Sequence, residues 1–383
     1  MNDTTIQIPD PIYLDYPLSV MLRLFADGTV NIHPHGINPL FGTTPVSLPE
    51  LANISQQLQK AIAYLTYSNK DAAQLGSTQL SSDLQSLAEL GNYAYRRLFP
   101  DPDAQSLFQS LPPGSTIEVV SENFTVPWQL LYDGDITQPI LLTNFWGIKH
   151  IISHILIGKH HRRGPVVAPY INTPAAPRVG LLTYNQLPAV ATHEIPFFQT
   201  LNDSNHICLL KLRALDRDNK QTELQAFTNF WQDDDPFHIA HFACHAIYDS
   251  SGPNRSELTL SNDFPITFQD LVIHNFKIEG HPLVILNACE TNTLNALYSS
   301  HFAAWFLELG ARGVVVTEAK IPDAFAADFA RELYGHLLNG TPIGTSLLKT
   351  RQHMWQTHNN PSGLAYAMYG PSAIHLKKET PHE

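Results

Sequence analysis

The sequence predicts an α/β fold in which a mostly parallel sheet of short buried strands is covered on both faces by helices. Two observations carry this. RVGLLTY (178–184), HICLLKL (206–212), FHIAHFA (237–243), PLVILNA (282–288) and RGVVVTE (312–318) are short apolar runs, the mark of strands buried on both faces. Stretches with apolar spacing near three and four lie between most of them, at 220–231, 267–274, 300–309, 322–339 and 343–356, and read as helices. Strands alternating with helices give parallel connections. Reactive groups of such sheets collect at the carboxyl ends of the strands.

The elements before residue 178 read differently. Residues 18–34 form two strands around an Ala-Asp-Gly-Thr turn, a hairpin pattern. Residues 49–67 and 78–98 read as amphipathic helices, and TIEVVS (116–121) and TVPWQLLYD (125–133) as strands. GKHHRRGPVVAPYINTPAAP (158–177) is basic and then rich in Pro and Ala, the composition of a linker or exposed loop. The chain therefore divides into 1–163, a linker at 164–177, and 178–383. Trp128 reads as a core anchor of the first part, and Gly134, Gly310 and Gly313 as turn and strand-entry glycines.

Composition narrows the function. The 383 residues are 43% hydrophobic and 15% charged, which fits a packed globular protein. Lys and Arg number 23 against 35 Asp and Glu, a net charge of −12. That balance argues against binding nucleic acid through general phosphate attraction and leaves room for basic peptide partners. Three cysteines, Cys208, Cys244 and Cys289, are too sparse for a disulfide framework and fit a reducing cytosol. The opening MNDTTIQIPDP lacks the regions of a signal peptide, and no apolar stretch approaches the roughly 18 residues of a membrane span. The expected location is the cytoplasm. No glycine-rich phosphate loop occurs.

Two strand ends carry chemistry. One run continues into Cys244-His245-Ala246, the other into Cys289-Glu290-Thr291. On neighbouring strands, His245 and Cys289 emerge side by side. A cysteine needs a base or cation nearby to supply thiolate near neutral pH, and histidine titrates in the range to provide it. Backbone N–H groups at the turns after each strand are oxyanion donors in such an arrangement. Spacing alone leaves open that both side chains are buried core groups.

His238, His241, Cys244 and His245 are the densest group of metal-ligand types. Alternation on a strand sends 238 and 244 to one face and 241 and 245 to the other, so the four do not meet at one tetrahedral ion. His241 reads as a core residue near the site. His150, His154, His160 and His161 read as surface residues sensitive to pH. Cys244 points into packing, and Cys208 reads as a small buried apolar residue.

HFACHAIYD (241–249), LVILNACETN (283–292), GARGVVVTEAKIPDAFAADF (310–329) and GLAYAMYG (363–370) resemble, in order, the successive blocks of the CHAT family of caspase-like cysteine peptidases related to separases. NYAYRRLFP (92–100) and VPWQLLYDGD (126–135) resemble its earlier, non-catalytic portion, so the resemblance covers roughly residues 90–378. It implies a caspase-like αβα sandwich. Residues 1–163 then hold an N-terminal region and a pseudo-protease half, and 178–383 the catalytic half. It implies peptide-bond cleavage by acyl transfer, with His245 as general base and acid, Cys289 as nucleophile, and no metal or cofactor. The backbone N–H groups of Ala246 and Cys289 are the expected oxyanion donors. Two positions depart from the family pattern. Ala246 stands where glycine is usual and lacks its tolerance of positive φ, and Asn292 replaces another glycine but visits the left-handed region readily.

The resemblance to separases also points to an acidic residue after the next strand as the receptor of a P1 Arg. Asp323 sits at that place, with Glu318 and Glu290 nearby. A carboxylate pairs well with a guanidinium, so cleavage after Arg or Lys is expected. Asp323 equally suits a helix cap for 322–339, and the two roles are compatible. Arg162 and Arg163, in the loop between the halves, form a candidate processing site. The expected partners are a protein or peptide substrate and an activating protein. The rival reading is a silent or latent caspase-like interaction module.

Overall fold

One sheet carries strands from both parts of the chain. The computed structural model describes residues 19–24, 30–34, 40–42, 46–68, 78–122, 126–157, 168–232, 235–247, 255–288 and 298–379. The first part contains β1 (Ser19–Leu24), β2 (Val30–Pro34), β3 (Leu40–Gly42), α1 (Leu48–Ser68), α2 (Thr78–Leu98), α3 (Pro102–Ser110), β4 (Thr116–Glu122), α4 (Trp146–Lys149) and β5 (Ile151–Ile157). The second begins with β6 (Tyr170–Thr173), β7 (Arg178–Thr183), α5 (Ile195–Asp203), β8 (Cys208–Lys211), α6 (Lys220–Trp231), β9 (Ile239–Ile247), β10 (Glu257–Leu260) and β11 (Phe264–Thr267). It continues through α7 (Phe268–Ile273), β12 (Leu283–Ala288), α8 (Tyr298–Leu309), β13 (Gly313–Thr317), α9 (Asp323–Leu337), α10 (Ile343–His358), β14 (Tyr366–Tyr369) and β15 (His375–Lys378).

The sheet order is β11-β10-β9-β12-β13-β14-β5-β4-β1-β2-β3, with β7 also on β9 and β8 on β7. The pairs β9–β12–β13 and β14–β5–β4–β1 are parallel, and antiparallel pairs occur at β10–β11, β9–β10, β13–β14, β1–β2 and β2–β3. All five apolar runs of the second part are strands of this sheet, as a doubly buried α/β core requires. Positive-φ Gly310 (φ 118) turns the end of α8 back into β13, and a side chain there would meet the Ile278 carbonyl at 2.6 Å.

The helices follow the apolar spacing. α1 buries Leu51, Ile54, Leu58, Ile62 and Leu65, and α2 buries Leu80, Leu84, Leu87 and Leu98, so each presents one apolar face. α7 begins at a capping box in which Thr267 and Asp270 satisfy each other's backbone N–H groups.

Four expectations need correction. Within the expected strand at 125–133, the described residues 126–133 form no strand, because Trp128–Leu130 is a 3-10 turn. Pro127 has no N–H for a ladder, and the apolar run is buried by side-chain packing instead. Trp128 is the expected core anchor, fully buried near Phe99 at 6.3 Å between ring centroids. Part of the 158–177 loop is ordered as β6, since the distant β15 supplies a parallel partner, Tyr170 opposite His375. A helix missed in the sequence fills 190–203 as one π turn running into α5. Pro196 follows the π turn at the second residue of α5, where its missing N–H interrupts the helical ladder.

The fourth correction concerns His150 and His154, which are buried core residues and not surface ones. His154 lies on β5 with its ring 4.7 Å from that of Tyr369. Among the described residues, neither nitrogen of either ring has a hydrogen-bond partner. Burial, aided by Lys149, lowers the pKa of His150 to about 3. Burial, aided by Arg351, lowers that of His154 to about 3. His160 and His161 lie outside the described residues.

β14 and β5 meet where Tyr369 pairs with His154, and the N–H of Gly370 donates to the His154 carbonyl at 2.8 Å. Buried polar side chains cross this junction. Arg351 donates to the carbonyls of Gly147 (3.1 Å), Gly363 (3.2 Å) and Tyr366 (2.7 Å). Burial lowers its pKa to about 10, with Glu318 opposing.

Candidate active site

β9 and β12 run parallel from Ile239 opposite Leu283 to Cys244 opposite Ala288. His245 is the next residue of β9, and Cys289 is the next residue of the chain after Ala288. Cys289 and Glu290 lie outside the described residues, as do Arg162 and Arg163.

β9 extends to Ile247, past its expected end at 243, because β10 returns antiparallel beside it and pairs Thr259 with His245 and Leu258 with Ala246. Ala246 is therefore in strand conformation rather than in a turn, and needs no positive φ. The His245 ring packs on Tyr184 at 4.6 Å between centroids. Tyr184 is itself held, because its hydroxyl donates to Asp263 Oδ1 at 2.5 Å. Asp263 (φ 56) and Asn262 (φ 60) make the left-handed turn between β10 and β11.

Strand alternation separates Cys244 from His245. Cys244 is buried, and burial together with the Glu194 charge pushes its thiol pKa well up, so it is no nucleophile. Cys208 is exposed, contrary to expectation. It begins β8, whose one sheet neighbour among the described residues is β7. Among the described residues no group of metal-ligand side chains assembles. His238 Nδ1 accepts from the Arg178 N–H at 2.8 Å, while His241 Nε2 meets Glu194 at 2.7 Å.

Behind His245, on the same face of the strands, lies a buried polar frame that sequence reasoning missed. Glu194 Oε1 accepts from His241 Nε2 (2.7 Å) and from Asn287 Nδ2 (2.8 Å). Asn287 Nδ2 also reaches the Ala326 carbonyl of α9 at 3.1 Å, and its Oδ1 accepts from the Tyr366 hydroxyl at 2.6 Å. The frame thus locks β9, β12, β14 and α9 to one another, immediately behind His245. Tyr334 of α9 is packed beside it, its pKa raised by burial and by Glu194. The visible signals were His241, read as a core residue near the site, and Asn287, a lone amide in an apolar strand. Thr317 of β13 adds a hydrogen bond to the Ala288 carbonyl at 3.1 Å.

A cleft of about 560 Å³ opens beside His245, lined by Tyr67, Tyr184, Leu187, Lys320 and Asp323 among others. Asp323 is the first residue of α9, and Pro322 occupies the cap position. Its Oδ1 accepts from the Ala324 N–H (3.0 Å) and its Oδ2 from the Ala189 N–H (3.1 Å). These bonds aim the carboxylate and leave lone pairs on both oxygens. The structure thus brings His245 and Asp323 to one cleft. Glu318 does not line it. Its side chain is buried, accepting from Gln129 Nε2 at 2.7 Å and from the Tyr369 hydroxyl at 2.6 Å.

A mostly parallel sheet covered by helices, with His245 of β9 and Asp323 of α9 lining one cleft, is the architecture expected of a caspase-like α/β fold. The CHAT domain family matches residues 88–379, and the chain belongs to that family. A protein of Vitiosangium sp. (strain GDMCC 1.1324), named as a probable protease, is 28% identical over 265 residues. That match covers 64% of this chain and 31% of the relative, so the chain spans under a third of its length. A chain of the Saccharomyces cerevisiae separase–securin complex, solved at 3.0 Å, superposes with a TM-score of 0.52 at 12% identity. It covers 94% of this chain and 30% of that one. The complex solved at 2.6 Å gives 0.50 at 11% with the same coverage. At such identities the likeness is one of fold. No helix among the described residues is long and apolar enough to cross a membrane.

Proposed function

We propose that this chain is a cysteine endopeptidase that cleaves after Arg, or less readily Lys, with Cys289 as nucleophile and His245 as its base. The carrying observation is that His245 and Asp323 line one cleft at the end of β9, whose neighbour β12 stops one residue short of Cys289. Cys289 follows Ala288, the register partner of Cys244, directly in the chain.

In this reading His245 takes the thiol proton and the thiolate attacks the scissile carbonyl. His245 then gives that proton to the leaving amine, and water hydrolyses the thioester. The N–H groups of Cys289 and Ala246 are the proposed oxyanion donors. Asp323 receives the basic P1 side chain, and the buried place of Glu318 supports Asp323 over it as the receptor. Glu290 remains a secondary candidate. Residues 1–163 supply the non-catalytic half of this proposal, 164–177 the linker and 178–383 the catalytic half. Arg162-Arg163 is the proposed processing site. The partners are a peptide or protein substrate and an activating protein, and the reducing cytoplasm is the setting that keeps the thiol usable.

A fluorogenic panel with P1 Arg, Lys, Asp, Ala and Leu, run on wild type and Cys289→Ala, tests this. Cleavage after Arg by wild type alone is expected. Equal activity in Cys289→Ala refutes the nucleophile, and preference for Asp or Leu refutes Asp323 as receptor. Silence throughout leaves a latent enzyme and a non-cleaving interaction module to be separated by adding a protein partner.

A further inference from the structure

The family match begins at residue 88, yet a residue well before it lines the cleft. Tyr67, in the last turn of α1, is one of its walls, with Asp323 and His245 among the others. The preceding residue ties α1 to the segment carrying Asp323, because Thr66 Oγ1 approaches the Lys320 carbonyl at 2.5 Å and shares its proton with the Ala63 carbonyl at 2.9 Å. The face of the Tyr67 ring already holds a cation, with Lys320 Nζ 4.3 Å from its centroid. Tyr67 is half-buried, so a cation on that face is partly removed from water, where such contacts strengthen.

We propose that Tyr67 is a specificity-determining residue of this cleft, its ring stacking on a substrate guanidinium that reaches for Asp323, with Lys320 as the resident cation the guanidinium displaces. This rests on the reading of Asp323 as the receptor of a basic side chain. A guanidinium is planar, stacks on aromatic faces and is more weakly hydrated than an ammonium. The ring therefore selects Arg over Lys, a distinction that the Asp323 carboxylate makes only weakly by charge. α1 belongs to the binding site, and its junction to the 320–323 segment couples the N-terminal region to substrate selection.

Binding separates this from the catalytic reading, since it needs no turnover. The full chain carrying Cys289→Ala is titrated calorimetrically with short peptide amides ending in Arg, Lys or norleucine. Adding Tyr67→Leu weakens the Arg peptide by about five- to thirtyfold, the range of a partly desolvated cation on a ring. The Lys peptide weakens less, the norleucine peptide is unchanged, and Tyr67→Phe stays within about twofold of its parent. Lys320→Met strengthens the Arg peptide. An Arg affinity unchanged in Tyr67→Leu, an equal loss for Arg and norleucine, or no Arg binding by the parent overturns the proposal. A chain that binds Arg peptides in this pattern yet cleaves none keeps the proposal and sinks the peptidase.

Discussion

His150 and His154 make the protein sensitive to acid, and the size follows from their burial. Both rings are buried without hydrogen-bond partners among the described residues, so a proton on either leaves an unpaired charged N–H in the core. Their folded pKa values of about 3 lie below the ordinary 6.5. Below pH 6.5 the unfolded chain therefore binds protons that the folded chain refuses, and stability falls as pH falls. The loss approaches about 1.4 kcal/mol per pH unit for each group. At pH 5 it amounts to about 2 kcal/mol per histidine relative to pH 7.5, or about 4 for the two. Urea unfolding of wild type, His150→Gln and His154→Gln at pH 7.5, 6.5 and 5.0 measures it. Each variant starts less stable but loses about 2 kcal/mol less than wild type between pH 7.5 and 5. Other titrating groups are common to both proteins and cancel. Identical losses in variant and wild type refute the argument.

Three further outcomes are expected. Glu194→Ala strips two buried donors, His241 and Asn287, of their shared acceptor. It should destabilise by about 3–5 kcal/mol, whereas Glu194→Gln keeps an acceptor and costs less, as denaturant midpoints will show. Gly370→Ala forces a side chain into φ 109, with its Cβ 3.0 Å from the Gly313 Cα. A loss of about 1–3 kcal/mol is expected, read as a fall in melting temperature. In the Cys289→Ala background a thiol reagent should modify exposed Cys208 promptly and buried Cys244 only after denaturant is added, with mass spectrometry counting the adducts. Rapid double modification refutes the placement of Cys244.

The buried frame explains how the cleft is held. The segment that follows β7 supplies Leu187 to the cleft wall, the Ala189 N–H to Asp323, and the Glu194 carboxylate to both β9 and β12. The Asp323 side of the cleft and the two strands beside it are therefore fixed by one stretch of chain. Gln129 and Tyr369 grip Glu318, and Arg351 grips three carbonyls, where β14 meets β5. Movement between the two parts of the sheet would strain the strand end that leads into Lys320 and Asp323.

The sequence by itself determined the elements whose cause is local. The five apolar runs became strands and the 3.6-periodic stretches became helices, with Lys220–Trp231 and Thr78–Leu98 ending where the pattern ended. Burial of a periodic apolar face is readable in one dimension. Strand alternation likewise put Cys244 in the core and turned His245 away from it. Only the tertiary structure decided what depends on a distant partner. β6 is a strand because β15 lies beside it, and His150 and His154 are buried because the sheet continues from β14 into β5 and β4. Glu194 meets Asn287 across 93 residues, and Tyr67 reaches a cleft whose other walls lie more than a hundred residues away. Such contacts arise from how faces stack, and no spacing along the chain encodes them.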